Sequence, residues 1–457
     1  MDEAVSAIIQ LMLAVAPPGR LHLDQATVRR LGELTRALIE AKPEAVREHD
    51  RFMAIRDRGL ALPPEREAEL AGRLRGATVL VTGGTGCIGS ALMAQLADLC
   101  PGRLVSVSRG VTRYTAPVAG AQYLQADVRD RHAVCTVVRE VRPDVIFHLA
   151  AQRDPGLAEV EVHRTISTNL LGTRNVLAVA AAAGVPQVVC ASTGKALRPY
   201  SPDVYTASKR AAEWVAADIV ASRDLLCSAA RFTHVVDNSI IYRRLRTWAG
   251  AGPAAVIRLH GSDLAFYAQS ALESAQLLLL ACLGAARGEF RVHAITDLGW
   301  PVYLLDLALG VLAAGEGALC PVYFSGYDAG YEQVPFPGLY DPMTAGDVSP
   351  LLNAYETAAA VPPTVPGADA AQLEFAADPR LHKMLSALDD SCARTQDPVL
   401  LRRELNELSW TLLDATLRTT PRAALVRSAM LARSHWDTMS PDHRRVLEAI
   451  GDAAGNG

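Results

Sequence analysis

Val79-Leu-Val-Thr-Gly-Gly-Thr-Gly-Cys-Ile-Gly-Ser90 is the stretch from which the fold is read. Thr78 to Val81 is a short β-branched, apolar run, the pattern of a fully buried strand. Gly83, Gly86 and Gly89 follow. Ala91 to Leu99 then carries apolar residues at helical spacing, and Pro101-Gly102 ends the run. Strand, glycine turn and helix start are the setting in which such spacing means dinucleotide binding. The first glycine makes the turn, the second admits the pyrophosphate to the backbone, and the third lets helix pack on strand. Free N–H groups at the helix start then face the phosphate.

Working outward, strand and helix alternate from Thr78 onward, which predicts an α/β fold: a doubly wound parallel sheet of Rossmann type with helices on both faces. The second strand, Arg103 to Ser108, runs into Arg109. An acid at that strand end would accept hydrogen bonds from the ribose and repel a 2′-phosphate; serine and arginine do the reverse, so NADP is favoured over NAD. Tyr123-Leu-Gln-Ala-Asp127-Val128 ends a third strand in a carboxylate suited to an adenine amino group. Val145-Ile-Phe-His148 opens into Leu149, Ala150 and Ala151, and His148, inside an apolar run, reads as a satisfied core histidine. Val188 to Ser192-Thr193-Gly194-Lys195 is the strand before a reactive loop, and Tyr205-Thr-Ala-Ser-Lys209 starts the next helix. Tyr205 and Lys209 stand four apart, on one helical face. An ammonium close to the phenol would lower its usual pKa of ~10 and make it a base for a hydroxyl proton near neutrality.

The order of these signals, with Asn169 between them, resembles that of extended short-chain dehydrogenases/reductases. Ser108-Arg109, Pro155-Gly-Leu-Ala-Glu159, Ser192-Thr193-Gly194-Lys195-Ala196 and Arg231-Phe232 resemble more narrowly the polysaccharide-biosynthesis branch of nucleotide-sugar 4,6-dehydratases and epimerases, over roughly residues 76–340. The resemblance implies a dinucleotide held by Gly83, Thr85, Gly86, Cys87, Ile88, Ser108, Arg109, Asp127, Val128, Leu149, Ala150, Ala151, Asn169, Tyr205 and Lys209. It also implies Tyr205 as the base, Thr193 or Ser192 positioning the substrate hydroxyl, and Lys195 as a second base that removes the acidified C–H proton. The family's general acid falls at Gly194, which has no carboxyl. Dehydration would lose a factor of ~10²–10⁴ without it, whereas epimerisation needs no such group. The expected function is therefore an NADP-dependent, sugar-modifying enzyme working through a transient keto intermediate, an epimerase before a dehydratase. A plain ketoreductase or alcohol dehydrogenase and a non-catalytic NADP-binding scaffold are the alternatives.

The expected substrate contacts are Arg153, Asp154, His234, Asp237, Asn238 and Asp328. Here His234 replaces a family asparagine, while Phe266 and Asp328 replace family arginines that contact the nucleotide diphosphate. That change of charge suggests a cationic aminosugar or aminocyclitol of secondary metabolism, including antibiotic biosynthesis, beside the nucleotide-linked sugar.

The remaining sequence bounds the class. The net charge of −4 over 457 residues makes neither nucleic acid nor an anionic membrane an obvious partner. The eight cysteines and eleven histidines show no metal-ligand spacing, so no metal is expected and the thiols suit a reducing, cytoplasmic setting. Only four lysines occur, and Lys195 and Lys209 are two of them. Residues 1–75 read as a helical extension, 76–340 as the Rossmann domain with a substrate lobe from about 231, and 341–457 as a second helical extension. Ala358 to Ala368 reads as a linker, and a homo-oligomer is expected.

Overall fold

The computed structural model describes residues 3–99, 101–110, 116–315, 319–331, 335–341, 343, 346–365 and 367–455. Its largest element is a nine-stranded sheet. Strands β1 (Thr78–Thr82), β2 (Arg103–Ser108), β3 (Gln122–Gln125), β4 (Val145–His148), β5 (Gln187–Thr193), β6 (Leu226–Phe232) and β7 (Arg291–Ile295) run parallel, in the order β7-β6-β5-β4-β1-β2-β3. The order reverses at β1, between β4 and β2. In doubly wound sheets this switch point opens the crevice that takes a ligand. Val79, Val81, Ile146, Phe147, Val188 and Val189 are completely buried, as strands covered on both faces require.

Residues 360–372 correct the sequence reading. Where a linker was expected over Ala358–Ala368, β8 (Ala360–Val365) and β9 (Ala368–Gln372) form a hairpin. Strand β9 adds antiparallel to β7, with Ile295 opposite Ala368 and Arg291 opposite Gln372. The hairpin hides in the sequence because alanine carries no alternating pattern. Pro362 and Pro363 argue against a central strand but are tolerated here, since β8 is the sheet edge. The sheet therefore continues beyond residue 340.

Two compact units divide the chain. One comprises residues 59–232, 272–297 and 329–457; the other comprises 1–58, 233–271 and 298–328. Within the sheet unit, helices α1 (Cys87–Asp98), α2 (Gly172–Ala182) and α3 (Val204–Ser222) follow β1, β4 and β5. Helices α4 (Pro379–Arg394) and α5 (Pro398–Thr419) pack on each other, and α5 also packs on α3. Leu401, Leu405, Leu408 and Leu412, the stripe legible in the sequence, are buried. In the other unit, helices Glu3–Val15, Gln25–Ala41 and Ala45–Ala54 share one core with Leu245, Ile257, Val302, Leu307 and Tyr323. The first three helices of the chain thus belong to the substrate-lobe segments, not to a separate extension ending near residue 75.

Candidate functional site

The glycine loop has the geometry its sequence demands. Gly83 has φ +75°, and a Cβ there would lie 2.9 Å from the Ala150 nitrogen. A Cβ at Gly89 would overlap the Gly83 carbonyl oxygen. Both positions exclude side chains for reasons internal to the protein. Gly86 differs: it is exposed, and only the Gly83 oxygen, at 3.3 Å, comes near its Cβ position. It is also the N-cap of α1 and supplies no side-chain cap to that helix start. An anion-binding edge results. Thr85 and Ile88 are half-buried beside it, while Cys87 is buried and acts as packing.

At the ends of β2 and β3 the charges cluster. Ser108 Oγ donates to the Gly110 carbonyl at 3.1 Å. Asp127 is bonded by Arg129, with the closest contact 2.7 Å; burial alone would raise its carboxyl, but the arginine holds it below the usual value. Arg164 pairs with Glu161 at 2.9 Å. Partial burial, then the charge of Arg164, lowers Arg109, with Asp127 pulling the other way. Three arginines and two carboxylates thus surround one strand end, an excess of one positive charge. Val128 is buried, whereas Leu149, Ala150 and Ala151 line the opening after β4.

His148 is the core histidine the sequence suggested. Nδ1 lies 2.7 Å from Thr82 Oγ1 and Nε2 lies 3.0 Å from Thr173 Oγ1; burial lowers its pKa to about 3. Asn169 sits in a π-helical turn, Ser167–Leu171, and is fully buried. Its amide is spent on the protein: Oδ1 accepts from the Gln152 N–H at 2.8 Å, and Nδ2 donates to the Gln152 carbonyl at 3.0 Å and to Ser208 Oγ at 3.3 Å. It braces the loop after β4 and offers nothing directly to a dinucleotide.

The reactive loop holds the main departures. Tyr205 is half-buried at the start of α3, with the Thr193 side chain near enough to its phenol to favour the ionised form. Burial raises the phenol above its usual value, and Asp203 adds to this; Thr193 and the charge of Arg153 oppose it. Lys209 Nζ donates to the Ala191 carbonyl at 2.6 Å, and burial lowers its pKa. The expected phenol sharpened by Lys209 is therefore not the resting arrangement: the amine is tied to β5, and the phenol is held protonated. Ser192 also changes role. Its Oγ donates to Glu213 Oε1 at 2.6 Å, which leaves Thr193 as the hydroxyl beside Tyr205. Lys195 Nζ donates to the Gly330 carbonyl at 3.4 Å and lies 5.3 Å from the centre of the Tyr331 ring.

Glu213 belongs to a buried quartet that sequence reasoning missed. Arg231 pairs with Glu213 at 2.8 Å and with Glu356 at 2.6 Å, and Arg210 pairs with Glu356 at 2.9 Å and with Glu213 at 3.3 Å. Burial would discharge Arg231, but the two carboxylates outweigh it and keep it firmly charged. Two positive and two negative charges cancel, which is the condition for burying them. Tyr205, Lys209 and Glu213 recur at four-residue spacing, a signal present in the sequence; Glu356, 125 positions from Arg231, gives none.

A family model described as "Polysaccharide biosynthesis protein" matches residues 79–320, just over half of the chain. The chain belongs to that family. Among polysaccharide-biosynthesis relatives, it is 27% identical over 281 residues to the probable polysaccharide biosynthesis protein EpsC of Bacillus subtilis, across 59% of this chain and 44% of EpsC. It is 30% identical over 169 residues to a UDP-N-acetylglucosamine 4,6-dehydratase (inverting) of Campylobacter jejuni, across 35% of this chain and 49% of that enzyme. The chain thus spans less than half the length of these curated relatives. Its fold is similar to that of Pen from Bacillus thuringiensis, with TM-score 0.55 at 18% identity over 65% of this chain and 90% of that one.

In this family member the expected substrate contacts fall in both units. Arg153 is exposed in the sheet unit, and Asp154 caps the helix Pro155–Val160 through the Leu157 N–H at 3.2 Å. In the other unit, His234 Nε2 lies 2.6 Å from Ser239 Oγ, and Asp237 accepts from the Ala271 N–H at 2.7 Å. Asn238 lies in the turn Val236–Asn238, and the exposed Asp328 stands 3.2 Å from His260. Two of the three carboxylates among the expected contacts, Asp154 and Asp237, thus accept from backbone N–H groups. Among the described residues, no group of three or more His, Cys, Asp or Glu is placed to hold a metal, and no helix is long and apolar enough to cross a membrane.

Proposed function

We propose that this protein is an NADP-dependent sugar-modifying enzyme that works through a transient keto intermediate and epimerises a nucleotide-linked sugar. The observation that carries the reading is the placing of Thr193, at the C-terminal end of β5, beside the Tyr205 phenol, in a sheet whose switch point carries an exposed helix start at Gly86 with no side-chain cap. The Gly86 edge suits the pyrophosphate of a dinucleotide, and Arg109, with Arg129 and Arg164 beside it, suits a 2′-phosphate. Bound there, the nicotinamide would supply a reversible hydride acceptor and a positive charge.

This chain's own residues would manage the protons. Tyr205, a neutral phenol at rest, would first release its proton to solvent; as the phenolate it accepts the carbinol proton in the oxidising direction, and as the phenol so formed it returns that proton to the carbonyl oxygen in the reducing one. Thr193, beside the phenol, orients that proton. Arg153, whose charge already draws the phenol downward, supports the oxidising direction. Lys195 would serve as the second base, taking the proton next to the carbonyl; its return to the other face inverts that carbon. Nucleotide-linked sugars are preferred over a cationic aminosugar because Asp154 and Asp237 have partners, and because relatives include a UDP-N-acetylglucosamine dehydratase.

Incubating the protein with NADP⁺ and a panel of UDP-sugars in D₂O tests this reading. Carbon-bound deuterium should enter the sugar with no lasting NADPH absorbance. Stoichiometric cofactor consumption without exchange would make the protein a ketoreductase, and binding without either would make it a scaffold.

A further inference from the structure

Residue 194 is the single residue between Thr193 and Lys195. A Cβ built on Gly194 would lie 2.6 Å from Leu351 Cδ2, 3.4 Å from Leu351 Cγ and 3.5 Å from the Phe232 carbonyl oxygen. Leu351 is buried and stands outside the family match, in the segment between the match and β8. Its backbone is tied on both sides. Its carbonyl accepts from Arg231 Nη1 at 3.0 Å, and its N–H donates to Ser349 Oγ at 3.2 Å. Five residues on, Glu356 pairs with Arg231 and Arg210. Asn353 Nδ2 donates to the Leu197 carbonyl, which ties the same segment to the far end of the reactive loop.

We propose that Leu351 is a specificity-determining residue: it fills the space over Gly194 with hydrocarbon and so commits the site to chemistry that keeps the sugar's hydroxyl groups. The proposal rests on the keto-intermediate reading above. Eliminating a hydroxyl next to an acidified C–H needs three things: the C–H proton leaves, the C–O bond breaks, and the departing oxygen receives a proton so that it leaves as water. Epimerisation removes the same C–H proton and returns it to the opposite face, and no C–O bond breaks. The first route needs one more proton donor at the reactive loop. Ser192 is committed to Glu213, and Thr193 stands beside Tyr205 with its Oγ1 accepting from the Lys195 N–H. Position 194 is the remaining loop position between these two hydroxyls and Lys195, and a Cβ there would run into Leu351 Cδ2. Truncating Leu351 and placing an acid at 194 should reopen the elimination route.

Two measurements test the proposal. The first is a thermal-melting cycle with Gly194→Ala, Leu351→Ala and the double variant. Gly194→Ala should lower Tm by a few degrees beside Leu351 and cost clearly less once Leu351 is truncated, as residues in contact couple. The second compares products by mass, as the ratio of dehydrated to epimerised UDP-sugar. That ratio should rise at least about tenfold in Gly194→Asp/Leu351→Ala relative to the unmodified protein, given what a general acid supplies. Additive melting effects, an unchanged ratio, or a unmodified protein that already releases water would overturn the proposal while leaving the keto-intermediate reading intact. If the unmodified protein neither exchanges deuterium nor releases water with any UDP-sugar, the functional reading itself fails; the melting cycle still reports on the Gly194–Leu351 contact.

Discussion

The glycine loop at residues 83–89 and the reactive loop at 192–195 sit at strand ends of one sheet, yet they are specified in opposite ways. Around Gly83 and Gly89, the forbidden Cβ positions meet backbone atoms of the loop itself or of the neighbouring β4 end. Around Gly194, the space is closed by Leu351, and the adjacent Ser192 is held through a quartet that reaches Glu356. A locally specified loop can be read from a dozen residues. One built from distant partners carries the family's residue types but can differ in what those residues do, as Ser192 and Lys209 show.

Several substitutions would break or sharpen that contrast. The largest effect is expected at Tyr205→Phe. Turnover and solvent exchange should fall by ~10²–10⁴, because the hydroxyl that moves the proton is lost, while NADP affinity measured by titration stays the same. Glu356→Ala comes next. It strands buried positive charge on Arg231 and Arg210, and chemical denaturation should show a loss of about 3–5 kcal/mol, although position 356 lies far outside the family match. In the glycine loop, Gly83→Ala should cost about 1–3 kcal/mol, from a left-handed backbone and from crowding against Ala150, and should weaken dinucleotide binding with it. The smallest effect is expected at Arg109→Ala: a several-fold loss of affinity for NADP with little change for NAD, read by fluorescence titration.

Acid sensitivity reports on the buried interior of the sheet. His148 has a folded pKa of about 3, against ~6.5 when unfolded. Between those values the unfolded chain binds more protons than the folded one. Stability is therefore fully present above about pH 6.5 and falls as pH drops toward 3. His293, lowered to about 4 by burial, adds to the same slope. Denaturant midpoints across that range should fall with acid, and His148→Gln should flatten the slope. A midpoint independent of pH would contradict the buried, neutral state of both rings.

Most of the parallel sheet was legible from the sequence because buried strands and glycine turns are short-range patterns. The helical character of the terminal segments was legible too, as Gln25–Ala41, Pro64–Leu74 and Pro379–Arg394 show. The hairpin β8–β9 was not, since an alanine-rich run with three prolines carries no periodic signal. Nor was the joining of residues 1–58 to the substrate-lobe segments, because one apolar helix face does not say which surface it covers. At the site, residue types and order identified Thr193, Tyr205 and Lys209. What surrounds this loop, Ala191 at Lys209, Glu213 at Ser192 and Leu351 at Gly194, is brought together only by tertiary structure.

Whether Tyr205 governs a hydride step that leaves the sugar's hydroxyls in place is decided by the fate of a UDP-sugar in D₂O with NADP⁺, followed by mass spectrometry and NMR. One deuterium should enter at carbon with no water released and no NADPH retained, and Tyr205→Phe should abolish the exchange. Exchange that persists in Tyr205→Phe, or a unmodified protein whose product is lighter by one water, would contradict it.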